Sequence, residues 1–154
     1  MQKSNVAIQR AVSKDAPAIA RLFRQSRESS LAFLPTLHTP DEDLIYFSEQ
    51  VLPDNEVFVA RNKNDQVIGF IAFKSEWIHH LYLLPKSGRK GIGTSLLEIA
   101  KAQSTRLRLW TFQRNEIARQ FYSRHGFLLI AETNGTENEE REPDILFEWT
   151  AVPD

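Results

Sequence analysis

The 154 residues are 42% hydrophobic and 25% charged, with a formal net charge of -1. These are the values of a globular domain with a real core, not of a disordered chain. So small a charge gives no surface-wide field for nucleic acid or anionic lipid, and any anion site is therefore local. Cysteine is absent, which excludes disulfides, thiolate zinc sites and a cysteine nucleophile. The first residues lack the apolar core of a signal peptide, and no apolar run reaches bilayer-spanning length. The expectation is a single cytoplasmic domain over residues 1–154 with no nucleic-acid or membrane partner and no metal; a homodimer is left open.

Residues 6–11 read as a short strand. Ser13 or Asp15 then offers a helix N-cap, with Pro17 tolerated in the first turn. Ile19, Leu22, Phe23 and Ser26 follow the spacing of one helical face, and only Ser26 among them is polar. A second helix starts at Thr39-Pro40-Asp41-Glu42, a capping box with proline at the first helical position, and carries the stripe Leu44, Phe47, Val51. Residues 57–60 and 67–73 flank the polar turn 62–65 as a hairpin, and residues 77–83 form a further strand. After a glycine-rich stretch, Leu96, Ile99 and Ala100 mark a helix to about residue 104, followed by a strand over 107–112. Asn115 caps a helix carrying Ile117, Ala118, Phe121 and Tyr122, which Gly126 closes as a left-handed cap. Residues 127–131 and 145–149 are the last strands, around a polar loop. The order β-α-α-β-β-β-α-β-α-β-β combines an antiparallel hairpin with a parallel crossover, so a mixed α/β sheet with helices on both faces is expected.

The stretch Gly88-Arg89-Lys90-Gly91-Ile92-Gly93 between strand and helix suits an anion. Glycine lets backbone approach a ligand, and free N–H groups at a helix start point at the charge. A strand-to-helix turn without a ligand is the plainer alternative. Two familiar phosphate motifs fail here. A P-loop needs lysine where Thr94 stands, and the dinucleotide fingerprint needs a small residue where Leu96 stands.

Together with Leu81-Tyr82-Leu83 ahead of it, this stretch resembles the first cofactor motif of the GCN5-related N-acetyltransferase (GNAT) family, Gln or Arg, two residues, Gly, one residue, Gly or Ala. Gly88 departs from the usual first residue. Asn115-Glu116-Ile117-Ala118-Arg119-Gln120-Phe121-Tyr122, with Gly126-Phe127 after it, resembles the second motif. The likeness spans residues 6–149 and implies a centrally splayed mixed sheet of six to seven strands with about four helices. It also implies acetyl-CoA as cosubstrate, with Leu81, Tyr82, Leu83, Gly88, Arg89, Lys90, Gly91, Ile92, Gly93, Thr94, Asn115 and Tyr122 at the cofactor. The implied activity is transfer of acetyl to a primary amine of a small molecule or peptide by direct attack. A CoA-binding sensor or partner subunit without turnover is the alternative.

The resemblance makes Tyr122 the acid for the departing thiolate. The position where some members carry a glutamate base falls on Trp77. Strict alternation puts residues 77, 79, 81 and 83 on one face, so His79, with a pKa near neutrality, is the expected base. Glu76 and His80 are its rivals on the opposite face. Phe33, Leu34, Pro35, Thr36 and His38 stand where the family builds one acceptor wall. Glu137, Glu139, Glu140, Glu142 and Asp144 form either a solvated loop or a lid that draws in a cationic amine. Trp110 and Phe112 add either an aromatic surface or core.

Overall fold

The computed structural model describes residues 6–85 and 91–152. Its elements are β1 (Ala7–Arg10), α1 (Ala16–Ser30), α2 (Pro40–Tyr46), α3 (Leu52–Asp54), β2 (Glu56–Arg61), β3 (Val67–Lys74), β4 (Trp77–Leu83), α4 (Ile92–Ala102), β5 (Arg106–Phe112), α5 (Glu116–Arg124), β6 (Leu128–Glu132) and β7 (Asp144–Thr150). A π-helical turn, Phe47–Val51, joins α2 to α3, so the expected second helix is one unbroken helical stretch. No helix among the described residues is long and apolar enough to cross a membrane.

Local chemistry sets most of these boundaries. At Thr39 the hydroxyl accepts from the Glu42 N–H at 3.1 Å while the Glu42 carboxylate accepts from the Thr39 N–H at 2.9 Å, so two orphan donors are satisfied reciprocally. Gly126 has φ 88°, and the left-handed turn there ends α5. α1 starts from Asp15, one of the two expected N-cap positions, with Pro17 in its first turn, but the Asp15 side chain does not cap the helix. Asp15 is buried, accepts from the Val12 N–H at 2.8 Å and pairs with Arg61, which ties the β1–α1 joint to β2.

Two apolar stripes also rotate. Across the π turn the buried positions are Asp43, Phe47 and Val51, four residues apart, and Leu44 turns outward. Asp43 tolerates burial because Arg24 pairs with it at 2.9 Å. On α5 the packed face is Ala118, Phe121 and Tyr122, which leaves Ile117 in solvent at 77% exposure.

All seven strands join one sheet in the order β1-β2-β3-β4-β5-β7-β6. Every neighbouring pair is antiparallel except β4–β5. The α4 and α5 face holds Ile71, Phe73, Leu96, Leu107 and Phe147; the α1 and α2 face holds Ile19, Phe47, Val59, Phe70 and Ala72. β3 is covered on both faces, which is why it reads as an almost continuous apolar run rather than an alternating one.

Candidate active site

β4 lies antiparallel to β3 along its length, but it pairs with β5 at a single position, Trp77 with Arg108, where the Arg108 N–H donates to the Glu76 C=O at 2.7 Å. Beyond that point the two parallel strands part. The Leu84 N–H donates to the Ile68 C=O at 2.9 Å, so ladder alternation turns the peptide groups of Leu81 and Leu83 toward the opening. The Leu83 carbonyl accepts there from the buried Ser26 hydroxyl at 2.7 Å. Ser26, the polar residue on the buried stripe of α1, thus braces the edge of the gap.

At the end of β4 stands the start of α4. Gly88, Arg89 and Lys90 lie outside the described residues. Gly91 is the N-cap at φ 75°, and a Cβ built on it meets nothing within 4 Å among the described residues. The first helical bond is Ser95 N–H to Gly91 C=O at 3.0 Å, so the N–H groups of Ile92, Gly93 and Thr94 precede it and point out of the helix end. An anion fits this open, positive end. Gly93 serves differently: a Cβ there would lie 3.3 Å from the Phe121 ring and 3.4 Å from Leu83, so its small size lets α4 pack on α5 and β4.

The other residues expected at the cofactor divide in the same way. His125 Nδ1 donates to the Phe121 C=O at 2.7 Å, which leaves Nε2 to accept from the Thr94 hydroxyl at 2.9 Å. Thr94 therefore contributes its backbone N–H, its side chain being engaged. Asn115 caps α5, its Oδ1 accepting from the Ala118 N–H at 3.2 Å. Tyr122 is buried beneath α5 at 7% exposure against Phe127 and Phe147. Its phenol is pushed well above the usual tyrosine range, first by burial and then by the neighbouring Tyr82 phenol. It stays protonated at any working pH.

The strict alternation expected for β4 breaks at His79. Phe73 pairs with Ile78 and Ala72 with His80, so His79 is the extra residue of a β-bulge. Ile78, Leu81 and Leu83 consequently face the α4 core, whereas Tyr82 joins the α1 core. His80 packs edge-on or tilted against Phe23, Phe47, Phe70 and Tyr82. Both histidines therefore border the same cavity, contrary to their expected separation.

Their environments separate them. His80 Nε2 lies 2.9 Å from the Tyr46 hydroxyl, and its buried Nδ1 has no partner among the described residues. Burial, with the nearby His79 and Arg27 charges, pushes its pKa down to about 3. So weak a base gains little by taking a proton at neutral pH. His79 Nδ1 lies 2.8 Å from Asn55 Oδ1, while Asn55 Nδ2 donates to the Val51 C=O at 3.0 Å. The Val51 carbonyl orients the amide, so Oδ1 must accept, Nδ1 carries the proton and Nε2 keeps its lone pair. Burial first, then Lys74, lowers the His79 pKa. Glu76, the third candidate, is engaged elsewhere by a two-toothed bond to Arg106, at 2.7 and 3.2 Å.

The cavity holds about 760 Å³ and lies between α1, α2, the bulged part of β4 and the loop over residues 133–143. Leu34, Pro35, Thr36 and His38 line it as expected, with Tyr46, Tyr82 and Phe112; Phe33 instead lies under Arg114, 4.1 Å from the guanidinium. Glu28, Glu42, Asp43, Glu139 and Glu140 outnumber Arg24, Arg27 and His38 around it, giving a negative wall. The acidic loop is docked in part: Glu140 and Glu142 are half-buried in ion pairs, whereas Glu137 and Glu139 stay exposed. Glu139 meets His38 at 2.9 Å, Glu140 meets Arg27 at 3.2 Å and Glu142 meets Arg114 at 2.7 Å. The Glu139 hydrogen bond, ahead of other nearby carboxylates, raises the His38 pKa. Trp110 is 47% exposed, on the surface rather than in the core. Asn55, Tyr46 and Arg27 carried no sequence signal, because each is defined by contacts to distant segments.

Comparison with known proteins follows the same lines. Residues 53–128 match the model of the acetyltransferase (GNAT) domain. Peptidyl-lysine N-acetyltransferase YjaB of Escherichia coli is 26% identical over 123 residues, spanning 79% of this chain and 82% of that protein. The solution structure of its apo form matches with a TM-score of 0.77 at 22% identity, over 96% of this chain and 99% of that one. Peptidyl-lysine N-acetyltransferase YiaC of Escherichia coli is 23% identical over 146 residues, spanning 94% of this chain and 97% of that protein. PaiA N-acetyltransferase from Thermoplasma acidophilum, solved in complex with coenzyme A, matches with a TM-score of 0.73 at 21% identity, over 94% and 98% of the two chains. By its motifs, its parted parallel strands and these relatives, the chain belongs to the GNAT acetyltransferase family.

Proposed function

We propose that this chain transfers the acetyl group of acetyl-CoA to a primary amine presented as a cation, with a lysine side chain of a polypeptide as the favoured acceptor. The observation that carries the reading is the gap between β4 and β5. At one end stand the open Gly91 turn and the free N–H groups of α4; at the other lies the negative cavity bordered by His79. The pyrophosphate of the cosubstrate fits the turn, and the N–H groups of Leu81 and Leu83 face the gap where its arm and thioester oxygen would lie. Acetyl-CoA supplies an activated acyl thioester. The relatives YjaB and YiaC, named as peptidyl-lysine acetyltransferases, favour lysine as the acceptor.

An ammonium of pKa about 10.4 must lose its proton before its nitrogen can attack. His79 Nε2, the lone-pair nitrogen of a ring that burial keeps neutral and whose tautomer the Asn55 contact fixes, takes that proton directly or through water. As the C–N bond forms and the C–S bond breaks, the buried Tyr122 hydroxyl gives its proton to the departing sulfur. His80 has a different part: with Tyr46 it makes a neutral wall that excludes water.

The test combines thermal melting with mass spectrometry. Acetyl-CoA raises the melting temperature of the native protein, because a ligand bound only to the folded state stabilises it by mass action. Gly91→Asp removes that protection by placing a carboxylate at the anion turn. A lysine-containing peptide incubated with acetyl-CoA gains one acetyl group at the lysine amine. Undiminished protection in Gly91→Asp puts the cofactor elsewhere; protection without acetylation of any amine in a broad panel contradicts the transferase reading.

A further inference from the structure

A second cavity of about 460 Å³ adjoins the first and shares Phe112 and Glu140 with it. Its floor is Trp110, and its other walls include Glu137 and Asp144 from the two ends of the acidic stretch. The sheet explains why Trp110 is bare. Leu107 and Leu109 of β5 turn to the α4 core, so Trp110 faces the opposite side, where α1 packs chiefly against β3 and β4. A half-exposed indole on the floor of a cavity offers a large apolar surface to a ligand.

The carboxylates around it differ in state. Glu140 is paired with Arg27, and Asp144 accepts from Asn138 at 3.1 Å and from the Thr133 hydroxyl. Glu137 is exposed and has no ion-pair partner among the described residues. An indole face beside a free carboxylate is the chemistry that holds a guanidinium or an ammonium.

We propose that this second cavity is a binding site for a lysine or arginine side chain that flanks the acceptor lysine on the same polypeptide. The proposal rests on the transferase reading and extends it. The acceptor ammonium enters the cavity at His79, and the flanking cation lies over Trp110 beside Glu137. The shared wall at Phe112 and Glu140 lets one chain reach both places. A single compact amine fills only the first. A polypeptide is favoured over a polyamine because the two cavities are contiguous through Phe112 and Glu140 and carry carboxylates on both sides of that wall, which suits a chain with two separate cationic side chains.

The experiment compares kcat/KM for three short peptides that differ only beside the acceptor lysine, carrying arginine, alanine or glutamate, with spermidine and Nα-acetyl-lysine amide as non-peptide acceptors. The arginine peptide is expected to exceed the glutamate peptide by about tenfold, the size of a cation–π contact reinforced by one carboxylate. Trp110→Ala brings that ratio close to unity, and Glu137→Gln reduces it in part. An unchanged ratio in Trp110→Ala overturns the site. So does an equal loss for the arginine peptide and Nα-acetyl-lysine amide, which makes Trp110 a packing residue. Dependence on Trp110 with spermidine but with no peptide overturns the polypeptide assignment. Calorimetric binding of the arginine peptide to the acetyl-CoA-free protein, native and Trp110→Ala, separates the two readings. Binding that needs Trp110 without acetylation defeats only the transferase reading, whereas acetylation without any Trp110-dependent preference defeats only the second site.

Discussion

The two faces of the sheet are held together by different forces. On the cofactor face, α4 and α5 close on each other by packing and short-range hydrogen bonds: Gly93 against Phe121, Thr94 with His125 at 2.9 Å, and Lys101 Nζ donating to the His125 C=O at 2.7 Å. On the acceptor face the cavity is closed by charge, through Glu139 on His38 and Glu140 on Arg27. Packing responds little to salt and pH; ion pairs respond more, the exposed His38–Glu139 pair more than the half-buried Arg27–Glu140 pair. The difference suggests a fixed half that holds the constant substrate and an adjustable half that meets the variable one.

The comparison breaks most visibly at Tyr122, the one hydroxyl of the packed face with a proposed chemical part. Tyr122→Phe keeps the ring among Phe127 and Phe147, so acetyl-CoA binding and melting temperature stay as they are, while kcat falls by roughly 100-fold through loss of the general acid. An unchanged kcat with a good acceptor makes Tyr122 a packing residue, and the packed face then contributes no chemistry.

A smaller effect sharpens the other half. His38 has a raised pKa in the folded protein, so its ion pair with Glu139 is complete below the unfolded value of 6.5 and is lost as pH rises through the folded value. Backbone amides of the loop over residues 133–143 should therefore exchange with solvent a few-fold faster at about pH 8 than at about pH 6, after correction for intrinsic rates. His38→Gln removes the pH dependence, and acetyl-CoA affinity is unaffected in either form. Equal protection at both pH values shows that the other contacts of the loop hold it without the histidine.

These unlike constructions also explain what the sequence revealed. The Thr39 box, the Gly126 cap, the helix that starts after Gly91 and the order of strands are written in neighbouring residues, and each is found where local chemistry puts it. The same locality made the cofactor face readable as a motif, though not the division of labour between an open Gly91 and a packed Gly93. The acceptor face has no local code. Glu139 and His38 are 101 residues apart and Glu140 and Arg27 are 113 apart, so the loop could be read as solvated or docked with equal reason. The bulge at His79 has no glycine or proline to announce it, and by inserting one residue it brought His79 to the cavity beside His80 and Tyr82, away from the face that alternation with Leu81 and Leu83 assigns it. Asn55, which sets the His79 tautomer, gave no signal because its role exists only once α3 stands beside β4.

The central claim is that the acceptor loses its proton to His79 on a tautomer fixed by Asn55, and the pH profile of kcat/KM tests it most directly. The lowered His79 pKa places an enzyme ionisation below 6.5, far from that of an acceptor ammonium at about 10.4. Activity should rise with pH through that lower inflection in the native protein. In Asn55→Asp the inflection moves to higher pH, because a carboxylate beside Nδ1 favours the imidazolium, and in His79→Gln it disappears with slower turnover at neutral pH. An inflection that survives in His79→Gln, or stays in place in Asn55→Asp, contradicts the account and assigns the proton to another group.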